Sequence, residues 1–288
     1  MKDTIYSPIK INLSLRILSA MPDRYHKVYS LFWQKDAAER LTITQKCGEI
    51  ISDVTNVSGV KISGENLVDR SIAAVRAAGY DIPPINVSLH KFFPTGSGIG
   101  AGSGNAAAIL KWLKTNYGAA LTDKEIGSLG ADVAFLASDY VLAHATGRGE
   151  VLSDAGIPPS LGWLLVFPNW SSSTKDAYRS LDKMRSLSRQ NVVVSQEQAK
   201  AEACELVDTL RAGKRSGRIE NDFFPLLVSA HREYLRAESI ADDVGALAWG
   251  LCGSGSAFFM LFDDSDAAKT ASGIFAEETW VNKTYFLE

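Results

Sequence analysis

The sequence predicts an α+β fold, because strand-like and helix-like stretches mix without a regular βαβ rhythm. Residues 10–17 and 85–90 alternate polar and apolar, the period of a strand with one buried face. Residues 67–78 and 105–117 carry helical stripes. Between the second strand and the second helix lies a loop with glycine at every other position from Gly96 to Gly104.

In chain order, the first strand puts Ile11, Leu13, Leu15 and Ile17 toward the core and Lys10, Asn12, Ser14 and Arg16 on the other face. Pro22-Asp23 marks a turn, and Tyr25-His26 leads an apolar stretch to Trp33. Asn66 caps the 67–78 helix, with Val68, Ile72 and Val75 on its stripe and Gly79 as its stop. Ile85, Val87 and Leu89 point inward from the next strand. Asn105 opens the alanine-rich helix, and Thr122 with Glu125 forms a capping box for a short one ended by Gly130, with Asp132 at the turn that follows. Strands at 140–146 and 163–167 flank the turn Gly147-Arg-Gly149. Residues 174–235 read as mostly helical, 248–262 as two strands around Cys252-Gly-Ser-Gly-Ser256, 265–278 as a helix and 280–287 as a last strand. The expected domains are 1–155 and 156–288, divided beside Pro158-Pro159.

Composition narrows the functions. The chain has 288 residues, 46% of them hydrophobic, the length of roughly two domains with apolar content for a sizeable core. Basic and acidic residues number 30 and 33, which argues against nucleic acid or anionic membrane as partners held by bulk electrostatics. Room remains for a local pocket that takes a phosphorylated small molecule. Cys47, Cys204 and Cys252 are far apart and form no CxxC, so neither a disulfide framework nor a zinc site is expected, and the cytoplasm is the natural location. Lys2, Asp3 and Lys10 leave no apolar region for a signal peptide, and the apolar runs 163–167 and 257–262 are far too short to span a membrane.

The glycine loop is the most informative feature. Glycine reaches φ > 0 and lets backbone approach a ligand, and a helix directly downstream offers unpaired N–H groups to an anion. Nucleotide phosphates fit such a site. The loop is not a P-loop, since Asn105-Ala106 stands where Lys-Ser/Thr belongs, and no register of 96–104 matches G-x-G-x-x-G.

Pro94-x-Gly-x-Gly-Ile-Gly-x-Gly-Ser-x-Asn-Ala-Ala107 resembles the central motif of the GHMP kinases, the galactokinase, homoserine, mevalonate and phosphomevalonate kinase superfamily. Ser7-Pro-Ile-Lys-Ile-Asn-Leu13 is similar to its first motif and Cys252-Gly-Ser-Gly-Ser-Ala-Phe-Phe259 to its third. Asp23-Arg-Tyr-His26, Gly130-Ala-Asp-Val-x-Phe135, Gly147-Arg-Gly-Glu150, Ser173-Thr-x-x-x-Tyr178 and Asn221-Asp-Phe223 resemble, in order, the branch that phosphorylates a cytidine diphosphate-linked methylerythritol for isoprenoid synthesis. The resemblance implies an N-terminal domain like ribosomal protein S5 domain 2 and a C-terminal ferredoxin-like domain. It implies transfer from ATP to the 2-hydroxyl, with Mg2+ carried by the nucleotide and no dedicated protein metal site. It assigns catalysis to Lys10 and Asp132, and nucleotide binding to Pro94, Gly96, Ser97, Gly98, Ile99, Gly100, Ala101, Gly102, Ser103, Gly104 and Asn105. Substrate binding falls to Asn12, Tyr25, His26 and Tyr178, in a monomer or homodimer.

Residue chemistry agrees in part. Phosphoryl transfer asks for positioning, charge neutralisation and a base at the acceptor hydroxyl, roles open to Lys10 and Asp132. On chemistry alone, Asp132 also reads as a helix N-cap, Lys10 as an edge-strand charge, Asn12 as a solvent-facing polar residue and Tyr25-His26 as a surface pair. Tyr25 and Tyr178 could clamp a base by stacking while His26 selects cytosine. Arg148 reads as a hairpin charge, His90, His144 and His231 as structural, and Trp33, Trp112, Trp163, Trp249 and Trp280 as core or subunit contacts. Cys252 lacks a nearby base and is no nucleophile. The sequence departs from the resemblance at Gly100-Ala-Gly-Ser-Gly104, where Gly-Gly-Gly-Ser-Ser is usual, at Ala134 in place of proline, and at Phe224 in place of a charge. One hydroxyl for phosphate or magnesium is thereby missing. A homoserine- or mevalonate-type kinase, and a non-catalytic nucleotide- or metabolite-binding member, are the other readings.

Overall fold

The computed structural model describes residues 2–21, 25–45, 53–61, 65–187 and 193–288. Cys47, the Pro22-Asp23 turn and Asp23-Arg24 of the first-strand motif lie outside the described residues.

The elements run β1 (Lys2–Ala20), β2 (His26–Thr44), β3 (Val54–Gly59), α1 (Leu67–Ala77), β4 (Asn86–Lys91), α2 (Ala101–Tyr117), α3 (Asp123–Leu129) and α4 (Ala131–Ala137). They continue β5 (Leu142–Thr146), β6 (Val151–Asp154), β7 (Gly162–Pro168), α5 (Thr174–Leu187), α6 (Gln196–Arg211), β8 (Gly217–Arg218), α7 (Phe224–Ala230), α8 (Glu233–Asp243), β9 (Ala248–Leu251), β10 (Phe258–Phe262), α9 (Ser265–Ala276) and β11 (Val281–Leu287).

Two compact units share the chain, and they interleave in sequence instead of dividing at one point. One holds residues 1–10, 34–95 and 100–140, the other 11–33, 96–99 and 141–288. In the first unit β3 pairs parallel with β4, and β4 pairs antiparallel with Arg40–Thr44 of β2. Helices α1, α2 and α3 close its core, where Val68, Ile72 and Val75 pack with Val87, Leu89, Ile109 and Leu113. The Asn66 cap is as expected, its side chain accepting from the Val68 N–H, and the Thr122–Glu125 capping box is complete.

In the second unit Ser30–Trp33 of β2 pairs antiparallel with β5, and β5 with β6. Its other sheet runs β11-β7-β10-β9-β8, with α8 and α9 packed on it through Tyr234, Ile240, Ala268 and Phe275. Strands β9 and β10 flank the Cys252–Ser256 turn as expected.

Four expectations change. The 10–17 strand is not half-buried: Lys10, Asn12 and Ser14 are each 3% exposed, so both faces are covered. Alternation reports residue polarity, and here the polar face is enclosed as well. Helix α2 begins at Ala101, four residues before Asn105, so the last four of the nine residues in the glycine run are helical. Asp132 is neither at a turn nor an N-cap but the second residue of α4, whose N-cap is Gly130. Gly147–Gly149 joins β5 to β6, a short strand that the sequence reading did not separate, as it also missed β3.

Candidate active site

The first unit holds Lys10 and Asp132, the two residues expected to be catalytic. Lys10 on β1 places Nζ 3.6 Å from Oδ2 of Asp132, whose side chain is 34% exposed beside an enclosed ammonium. Asp132 lies in the first turn of α4, where the helix dipole favours a carboxylate. Gly100, the N-cap of α2, adopts φ 70°, and a Cβ there would touch Leu136, Lys10 and Asp132 at 3.3–3.5 Å. The glycine run therefore approaches Lys10 and Asp132 at Gly100, one of its left-handed residues. The first α2 turn carries Ala101, Gly102 and Ser103, whose N–H groups precede the first intrahelical bond, from Gly104 to the Gly100 carbonyl. These N–H groups and the dipole end are of the kind that an anion site uses.

Asn105 is held by a different task. Its Oδ1 accepts from the Ser7 hydroxyl at 2.6 Å, both residues being buried. Gly104 is fixed by packing, since a Cβ there would lie 1.8 Å from the Pro8 carbonyl oxygen. The hydroxyl missing from position 104 is thus excluded by the approach of β1 to α2. Ahead of the loop, Glu39 accepts from Lys91 Nζ at 2.6 Å and from the Phe92 and Phe93 N–H groups, a buried anchor that leads into Pro94. Glu39 and Lys91 lie 52 residues apart, and no local pattern links them.

The second unit holds the other arm of the loop, Gly96–Ile99. The Gly96 carbonyl accepts from the Ser172 and Ser256 N–H groups, and the Ser97 carbonyl from the Ala257 N–H at 2.9 Å. A Cβ at Gly98 would fall 1.8 Å from the Cys252 carbonyl oxygen. The third glycine motif is therefore the support of the second, and Cys252 acts through its backbone.

Asn12, Tyr25, His26 and Tyr178, the residues expected to bind substrate, also lie in this unit. Asn12 donates from Nδ2 to Ser30 Oγ at 2.8 Å. The Tyr178 ring stacks on His26 at 5.3 Å and 23°, and His26 Nε2 sits 2.8 Å from Asp182 Oδ1. Tyr25 is 58% exposed, with the Arg148 guanidinium carbon 4.1 Å over its ring. Arg148, read from sequence as a hairpin charge, is thus a cation on a predicted substrate residue. The stacking partner of Tyr178 is His26, which the clamp expected from Tyr25 and Tyr178 did not anticipate.

The remaining histidines have structural contacts. His144 Nδ1 meets the Tyr29 hydroxyl at 2.7 Å, burial pushing His144 below the ordinary imidazole range with help from Lys200, and pushing Tyr29 up. His90 meets Ser58, and His231 stacks on Trp170 at 4.1 Å. Trp33 and Trp163 meet edge to face in the interior. Among the described residues, no cluster of three or more His, Cys, Asp or Glu could hold a metal, and no helix is long and apolar enough to cross a membrane.

Residues 66–141 match the GHMP kinases N terminal domain, and residues 201–280 the GHMP kinases C terminal domain. A 4-diphosphocytidyl-2-C-methyl-D-erythritol kinase of Geobacter sulfurreducens is 30% identical over 97% of this chain and 96% of its own. The chain belongs to the GHMP kinase family. The enzyme of the same description from Brucella melitensis is 33% identical over 96% of this chain and 91% of its own. A crystal structure of a 4-(cytidine 5'-diphospho)-2C-methyl-D-erythritol kinase superposes with a TM-score of 0.79 at 26% identity, covering 99% of this chain and 98% of that one. A homoserine kinase from Cytophaga hutchinsonii shares the fold, with a TM-score of 0.68 at 16% identity. The GHMP kinase fold expected from the sequence is therefore present, and the family implies ATP as phosphoryl donor.

Proposed function

We propose that this GHMP kinase transfers the γ-phosphoryl group of ATP to the 2-hydroxyl of 4-diphosphocytidyl-2-C-methyl-D-erythritol, in isoprenoid precursor synthesis. The observation that carries the reading is the Lys10–Asp132 pair beside Gly100, in a chain whose full-length relatives bear that enzyme's description. Asp132 accepts the hydroxyl proton as the oxygen attacks phosphorus, and ADP leaves with the electron pair of the broken bond. Lys10 holds the carboxylate in place and offsets charge on the phosphoryl oxygens. The N–H groups of Ala101, Gly102 and Ser103 bind phosphate, and the Gly96–Ile99 arm is held rigid by Ser256 and Ala257.

Mg2+ would arrive on the nucleotide, held mainly by the phosphates and its own waters, and would neutralise charge on them; Asp132 is kept for the acceptor proton and no dedicated protein metal site is assigned. Tyr25, His26, Tyr178 and Asn12 take the cytidine diphosphate-linked substrate. In the tautomer whose Nε2–H donates to Asp182 Oδ1, 2.8 Å away, His26 Nδ1 is an acceptor. The cytosine amino group meets such an acceptor, whereas the uracil O4 does not.

We read the family domains as 1–155 and 156–288, a division supported by matches at 66–141 and 201–280. The near-balanced charge supports the absence of a nucleic-acid or membrane partner, and the scattered cysteines support a cytoplasmic location. The test is ADP release by the purified protein with that substrate. Turnover above a Lys10→Ala control is expected. No turnover above that control sinks the reading, and turnover of homoserine or mevalonate alone redirects it.

A further inference from the structure

The Asn221-Asp-Phe223 motif has no task in the reaction above, yet its side chains meet two parts of the site within the second unit. Asn221 is 6% exposed and uses every polar atom of its carboxamide. Nδ2 donates to the Gly253 carbonyl at 2.8 Å and to the Leu251 carbonyl at 3.4 Å. Oδ1 accepts from the Phe223 N–H at 2.9 Å, an Asx turn that sets where the Phe223 ring goes.

Gly253 belongs to the turn whose Ser256 and Ala257 N–H groups hold the Gly96–Ser97 carbonyls of the phosphate loop. The Phe223 ring packs edge-on against Tyr178, with 5.0 Å between centroids at 81°, and Tyr178 stacks on His26. The motif is itself pinned. Asp222 accepts from the Ile17 N–H and from Arg16 and Arg185, while Leu15 exchanges backbone bonds with Glu220 and Asp222.

We propose that Asn221 is a positioning residue serving both substrates: one carboxamide fixes the glycine turn under the phosphate loop and the phenyl ring behind the cytidine-binding stack. This rests on the nucleotide and cytidine assignments above. The Asn221 carboxamide is buried and spends its hydrogen bonds on backbone groups of the protein. Removing it frees the Gly253 carbonyl and the Phe223 N–H together, and each is one ordinary buried hydrogen bond.

The two arms separate by substitution. Asn221→Ala loses both. Asn221→Ser keeps a local acceptor for the Phe223 N–H, since serine makes the same kind of turn, but is too short for Gly253. Phe223→Leu leaves the Gly253 bond and removes the ring behind Tyr178. Phe275→Leu, in the α9 core of the same unit, is the control for general loosening.

Titration calorimetry with a non-hydrolysable ATP analogue and, separately, with cytidine diphosphate reads each arm without turnover. Asn221→Ala should weaken both ligands by roughly 2- to 10-fold, the span of one ordinary hydrogen bond. Asn221→Ser should weaken only the ATP analogue and Phe223→Leu only cytidine diphosphate, with matching changes in the two KM values. Phe275→Leu should lower the melting temperature and move neither. Unchanged affinities in Asn221→Ala, parallel losses in Asn221→Ser, or the same pattern in Phe275→Leu would overturn the proposal. If Asn221→Ala does not fold, the other two variants carry the split. Wild-type protein that ignores cytidine diphosphate overturns the substrate assignment instead, and Asn221→Ser with the ATP analogue still decides the glycine-turn arm.

Discussion

Gly104→Ser restores the hydroxyl usual in the family at that position, and the structure predicts that it damages the protein. The new Cβ would lie 1.8 Å from the Pro8 carbonyl oxygen and 3.0 Å from its carbon, where real contacts keep at least 3.0 Å. Both neighbours are backbone, so no side chain can swing away. Strand β1 and helix α2 must part by about 1 Å, against the buried Ser7–Asn105 hydrogen bond next to the clash. Overpacking of this kind costs typically 1–3 kcal/mol and more where backbone has to move, while leaving glycine returns about 0.5 kcal/mol of helix propensity. A net loss of about 2–3 kcal/mol lowers the melting midpoint by about 4–12 °C. Gly102→Ala is the internal contrast, because its nearest heavy atom is Leu67 Cδ1 at 4.0 Å. It should gain up to about 1 kcal/mol, the helix preference for alanine over glycine. Thermal unfolding of the three proteins side by side decides the matter. If Gly104→Ser melts with wild type, the close approach of Pro8 does not set this residue and the argument fails.

Other outcomes follow from the same geometry. Asp132→Asn should lower kcat by at least ~10²-fold with little change in nucleotide affinity, the scale of a lost general base; an unchanged kcat refutes the base assignment. Gly98→Ala places a methyl on the Cys252 carbonyl and forces φ 82° on a side chain, so nucleotide binding measured by calorimetry should fall below detection. His144 titrates below its unfolded value, so the stability that it contributes is present above about pH 6.5 and is lost as pH falls toward its folded value. Denaturant unfolding of His144→Gln should lose part of the pH dependence below about pH 6.5; an identical slope in both proteins removes His144 as the cause. A uridine diphosphate analogue of the substrate should react at least ~10-fold less efficiently than the cytidine compound, and Asp182→Ala should narrow that gap; equal kcat/KM for the two bases would show that His26 does not select.

Local signals carried most elements. The Asn66 cap, the Thr122–Glu125 box and the paired strands around Cys252–Ser256 are encoded within a few residues of where they act. What sequence reading lost is what only three dimensions contain. Lys10, Asn12 and Ser14 alternate with apolar residues just as a solvent-facing row does, and enclosure of that row comes from distant segments. The glycine run reads as loop because glycine is a poor helix former, yet tertiary packing starts α2 at Ala101 and makes Gly104 a contact residue. Glu39 with Lys91, and Arg148 with Tyr25, are pairs between segments far apart in the chain. The stacking of Tyr178 on His26 joins residues more than 150 positions apart, and no local pattern announces it.

The interleaving of the two units has a consequence for synthesis on the ribosome. Leu31, Phe32 and Trp33 pair with Leu142–His144, residues made more than 100 positions later. At about 5–20 residues per second, these apolar side chains spend roughly 5–20 s without their strand partner. Neither unit closes early, because one needs residues up to 140 and the other returns to 11–33 only after that point. The nascent chain thus exposes Leu31–Trp33 to chaperones for seconds, and conditions that slow elongation should lengthen that exposure and lower the folded yield.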